Sequence, residues 1–83
     1  MKFYMMKVYI LAIAIPQCSE PIIRAFQSGE SRDRATKEWL RDNWNPENQQ
    51  PSMEDGVDIW LRDFDPDLTF GGDIDLFDVD VEL

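Results

Sequence analysis

Apolar side chains occupy both alternating faces of residues 8–15. Tyr4, Val8, Tyr9, Ile10, Ile13 and Ile15 are β-formers, so the stretch predicts a central strand covered on both sides. Pro16 ends it. Ser19, with Pro21 two residues on, has the pattern of a helix start. Ile22, Ile23 and Phe26 give a short apolar stripe there, and Gly29 can close the turn. Ser31 then caps a second helix running to Trp44, with Ala35, Trp39, Leu40 and Trp44 on one face. Asp33 with Lys37 and Arg34 with Glu38 form i,i+4 pairs on the other face. One long helix kinked at Gly29 satisfies the same pattern. Residues 45–56, with Pro46 and Pro51, read as a loop.

The pattern of the last third predicts strands over residues 57–64 and 73–83, joined by residues 66–72 as an antiparallel hairpin. The expected fold is an α/β (α+β) domain: a small β-α(α)-β-β sheet with helical cover on one face and an acidic C-terminal hairpin. A first crossover between parallel strands would be right-handed. At 83 residues, positions 1–83 make a single domain with a small core. Trp60 and Phe64 share a strand face with Asp58 and Arg62. They either pack beneath the helix or stand out as anchors for a partner. Packing is favoured, because so small a domain needs its large side chains inside.

The apolar start is not read as a secretory leader. Lys7 interrupts it, and cleavage after Ala14 would leave too little hydrophobic chain. It is also far short of the ~20 residues of a membrane span. The expectation is a cytoplasmic protein with no membrane partner. Leu, Ile, Val and Phe make up 22 of the 83 residues, enough to separate the chain from disordered sequences of high charge.

Charge changes the picture more than composition does. Up to Met53 there are 7 basic and 6 acidic residues; from Glu54 on there are 11 acidic residues and only Arg62. The formal charge of -9 therefore belongs to the C-terminal segment. A chain of this charge does not bind bare nucleic acid, which must be met by positive groups. It suits a basic partner. The candidate partner-binding residues are Asp58, Asp63, Asp65, Asp67, Asp73, Asp75, Asp78, Asp80 and Glu82.

The final segment alternates, but its phase slips at Leu76-Phe77. A β-bulge there would place Asp73, Asp75, Asp78, Asp80 and Glu82 together on the outward face. Neighbours two apart on a strand are about 6.6 Å apart. That is close to the roughly 6–7 Å step between phosphates along a nucleic-acid strand. Solvent-facing strands and protected sheet edges also alternate in this way. Screened repulsion along the row comes to only about 1 kcal/mol, so energetics alone do not demand a function. The one-sidedness of the charge favours an acidic binding face, since charge added only for solubility would be spread out.

Catalytic chemistry is poorly served. There is no His, and Cys18 is the sole cysteine. That excludes Ser-His and Cys-His pairs, imidazole or thiolate metal sites and an internal disulfide. Cys18 reads as a half-buried residue in a reducing compartment. Asp63, Asp65 and Asp67 begin like a calcium loop, but Leu68 replaces its glycine and Ile74 its final glutamate. A turn in which Asp oxygens satisfy loop amides is the plainer reading. Carboxylates holding Mg²⁺ for a nuclease would want a nearby Lys, and none follows Lys37. Gly71-Gly72 is too short for a phosphate loop. No enzyme, metal or cofactor is expected.

In size, in its one-sided run from Asp73 through Asp75, Asp78 and Asp80 to Glu82, and in its lack of catalytic groups, the chain resembles a class of small phage inhibitors. These are acidic proteins used against bacterial defence, such as anti-CRISPR proteins and DNA mimics. The resemblance is one of character and rests on no shared motif. It implies a non-enzymatic inhibitor that occupies the nucleic-acid-binding site of a defence complex in the host bacterial cytoplasm. The competing expectation is an acidic accessory or antitoxin-like subunit, which docks on a basic partner without displacing nucleic acid. A calcium-stabilised binding module is the third.

Overall fold

Two ten-residue strands from the two ends of the chain form the body of the sheet. In the computed structural model, which describes residues 5–66 and 70–82, β1 (Met5–Ala14) pairs antiparallel with β3 (Asp73–Glu82). β2 (Ile22–Phe26) pairs antiparallel with the other edge of β1, giving the order β2-β1-β3. Tyr4, Asp67 and Leu68, all assigned roles above, lie outside the described residues, as does the last residue of the expected final strand. Two helices, α1 (Gly29–Asp42) and α2 (Val57–Phe64), complete a small α+β fold with the first strand central, as its two-faced apolarity predicts.

The element order is β-β-α-α-β, and four local expectations are corrected. Residues 22–26 form a strand, not a helix. The chain reverses through a turn in which the Cys18 amide donates to the Ile15 carbonyl, with Gln17 at φ 69. That turn returns Ile22 and Ile23 alongside β1, where β-branched side chains suit pairing better than a short helix. Cys18 is exposed in this turn rather than half-buried. Residues 57–64 form a helix, not a strand. Val57, Trp60, Leu61 and Phe64 fall at i, i+3, i+4 and i+7, the spacing of one helical face. There is accordingly no C-terminal hairpin: β3 finds its partner at the far end of the chain. Gly72 lets it enter, because a Cβ there would collide with the Ala14 carbonyl.

The helices pack on one side of the sheet, over Leu11 and Ile13, both essentially fully buried. Leu40 and Trp60 complete the core, and Trp39, Trp44, Phe64 and Phe70 stack around them with ring centroids 5.3–6.1 Å apart. The Trp60 indole donates to the Ser52 carbonyl at 2.8 Å, so its one polar atom is satisfied inside. Trp60 is thus a packed residue and not a partner anchor.

α1 begins at Gly29, where two helices or a kink were expected, and its cap is Ser28 rather than Ser31. The Ser28 hydroxyl accepts from the Ser31 amide at 3.1 Å and donates to the Ser31 hydroxyl at 2.9 Å. Ser28→Ala should therefore cost about 1 kcal/mol. For a domain of this size that lowers Tm by about 4–8 °C. Ser31→Ala keeps the capped amide and should shift Tm much less. Equal shifts in the two thermal melts would place the cap elsewhere.

The other side of the sheet carries no second layer. The shortest dimension of the molecule is 16 Å, room for one sheet and one helical layer. Its radius of gyration is 14.8 Å, against about 12 Å for a compact chain of this length. The expectation that β1 is covered on both sides therefore fails. Val8, Ile10 and Ala12 lie on the uncovered face and stay half-buried.

Candidate functional site

The register from Met5↔Glu82 to Ala14↔Asp73 is unbroken, so no bulge absorbs the phase slip at Leu76-Phe77. Directly opposed residues in an antiparallel pair share a face, and the faces follow from β1. Ile74 and Leu76 stand opposite Ile13 and Leu11 and point toward the helices. Asp73 and Asp75 stand opposite Ala14 and Ala12 and point to the uncovered face. After Leu76 the roles exchange. Asp78, Asp80 and Glu82 point to the helix side, and Phe77, Val79 and Val81 to the uncovered side. The expected row of five carboxylates is therefore corrected to a row of three, with a separate pair on the opposite face.

The row remains accessible because the helices do not reach it. β2 pairs only with residues 9–13 of β1, so residues 5–8 and 79–82 form a two-stranded ribbon that projects past the rest of the sheet. All of β3 from Phe77 to Glu82 is exposed. Tyr9, Lys7 and Met5 stand opposite Asp78, Asp80 and Glu82. Lys7 thus shares a face with the middle carboxylate. Patterning alone did not find this pairing, because it depends on contact between the two ends of the chain.

Arg32 fixes the base of the ribbon to α1. Its guanidinium lies over the Tyr9 ring, 5.4 Å from the centroid, and Nη1 donates to the Phe77 carbonyl at 3.1 Å. Nε donates to Asp33 at 3.0 Å. This side chain is held between helix and sheet at the point where β3 changes from half-buried to exposed.

The other candidate residues lie apart from the ribbon. Asp58 is exposed in the first turn of α2, where a carboxylate is favoured by the helix dipole. Asp63 pairs with Arg62 at 2.9 Å, and this hydrogen bond holds its carboxyl below the usual range. Asp65 accepts from the Phe70 amide at 2.8 Å, a loop-supporting role. Asp67 lies outside the described residues. Among the described residues no three acidic or thiol groups converge as a metal site requires. Among the same residues no helix is long and apolar enough to cross a membrane. A hollow of about 440 Å³ between α1 and the start of α2 is lined by Glu30, Asp33, Arg34, Lys37 and Glu38. Lys37 closes one side by donating to the Met53 carbonyl at 2.9 Å. Its lining of mixed charge lacks a nucleophile beside a base.

No protein-family model, curated protein or solved structure matches the chain significantly. Its function has to be argued from its own residues.

Proposed function

We propose that the chain is a non-enzymatic inhibitor that docks on the basic, nucleic-acid-binding surface of a bacterial defence complex. It would work in the host cytoplasm, in the manner of the anti-CRISPR and DNA-mimic proteins it resembles in character. The observation that carries the reading is the exposed line of Asp78, Asp80 and Glu82, running from the base of the ribbon to its end. Three carboxylates at about 6.6 Å intervals match a run of three phosphates. They lie in the segment that holds nearly all the net charge, so long-range attraction would steer a basic groove toward this part of the molecule. Occupying the groove requires no metal, cofactor or chemical step.

A second reading, an accessory or antitoxin-like subunit, is favoured by Phe77, Val79 and Val81 on the back of the same ribbon. A phosphate mimic needs only the charged side. Competition separates the two. A captured partner is loaded with a fluorescent DNA duplex or its guide RNA and titrated with the chain. Release of the nucleic acid is the expected result. A stable ternary complex would overturn mimicry in favour of the accessory subunit.

A further inference from the structure

We propose that the uncovered face of the sheet is a self-association surface, on which two copies of the chain stack sheet on sheet. Met6 is 42% exposed, Ile23 64%, Phe77 44%, Val79 40% and Val81 36%, and the register places all five on this face. With side-chain areas on the order of 150–250 Å², these five and their half-buried neighbours expose on the order of 600 Å². That is the upper end of the largest apolar patch on an ordinary monomer, and patches of that size are often functional. Two such faces bury on the order of 1,200 Å², the lower bound for a specific protein interface. The ribbon adds a second reason, since a two-stranded ribbon is marginal in water unless something packs against it.

The area fits a second copy as the occupant, and charge placement permits it. The acidic residues on this face are Asp73 and Asp75, both at one end, opposite Ala14 and Ala12. A two-fold axis lying between the sheets and across the strands reverses the strand direction. Each Asp73-Asp75 pair then lies over the other copy's Met6-Val81 end, and the two acidic pairs never meet. Asp78, Asp80 and Glu82 point away from the interface, so the dimer leaves both carboxylate rows free. Edge-to-edge pairing of β3 with its own copy is disfavoured, because it would bring the carboxylate-bearing edges together. The proposal does not depend on the reading of the acidic row.

The two readings respond to salt in opposite ways. Copies of a chain with formal charge -9 repel each other, so screening should tighten the dimer while it weakens binding to a basic partner. Sedimentation velocity over a concentration series at ~50 and ~500 mM salt reads this directly. The expected result is a monomer–dimer equilibrium that shifts toward dimer at high salt. Val79→Asp should weaken it tenfold or more. Ile23→Gln, at the most exposed of the five positions, should weaken it several-fold with an unchanged melting curve at concentrations where both proteins are monomeric. A chain that stays monomeric under all conditions, or a dimer indifferent to both substitutions, would overturn the proposal. So would a monomer whose capture of another protein is lost in Val79→Asp, which assigns the face to that protein.

Discussion

Trp60→Ala should remove about 3–5 kcal/mol of folding stability, the cost of deleting a large aromatic from a packed core. A chain of this length holds about 4–12 kcal/mol in all, so the variant should lose from about a quarter to all of its stability. Trp60 is fully buried, meets Trp44 edge-on at 5.3 Å and donates to the Ser52 carbonyl. It ties α2 to the segment that joins the two helices, near its start at Trp44 and again at Ser52. Trp60→Phe keeps most of the ring packing and leaves the Ser52 carbonyl without its donor, at a cost of about 1–3 kcal/mol. Urea denaturation of the three proteins measures both effects. A loss under about 1 kcal/mol for Trp60→Ala would contradict the core described here.

The second large effect concerns binding. Replacing Asp78, Asp80 and Glu82 by Asn, Asn and Gln keeps shape and removes the charged row. Three charge-assisted contacts across an interface contribute about 1–2 kcal/mol each, so partner affinity should fall about 10²–10⁴-fold. The fold should barely respond. Two neighbouring repulsions of roughly 0.3 kcal/mol each are relieved. Affinity by titration calorimetry and Tm by circular dichroism, on the one triple variant, separate the two outcomes. A large fall in Tm would mean that the carboxylates are part of the fold.

The class and the central strand were legible because residues 8–15 are apolar on both faces, a pattern few elements other than an inner strand satisfy. The two misassigned segments were short. Ile22, Ile23 and Phe26 fit a helical stripe or an edge strand equally well over five residues, and only the returning turn at Gln17 decides. Val57 to Phe64 did carry its signal, in the spacing of Val57, Trp60, Leu61 and Phe64. β-propensity and the neighbouring acidic strand obscured it. The pairing of β1 with β3 spans nearly the whole chain, and no local pattern encodes it.

The acidic site was legible in residue type but not in arrangement. The slip at Leu76-Phe77 is visible in the residues, and a bulge was the expected remedy because one-sided burial was assumed along the whole strand. The structure keeps the register instead and lets the strand exchange faces where the helices end. Asp73 and Asp75 fall on the opposite side from Asp78, Asp80 and Glu82 for that reason. The same slip was the available sign that Phe77, Val79 and Val81 lie uncovered on the other face.

The central claim is that the row on the ribbon recognises a basic partner by charge. The measurement that tests it most directly is the association rate of the chain with that partner, by stopped flow at ~50 and ~500 mM salt. The triple variant serves as the comparison. Charge steering predicts that the wild-type rate falls by an order of magnitude or more across this range, while the slower rate of the variant changes far less. Equal rates and equal salt slopes for the two proteins would contradict the claim and leave the carboxylates as a solvated strand edge.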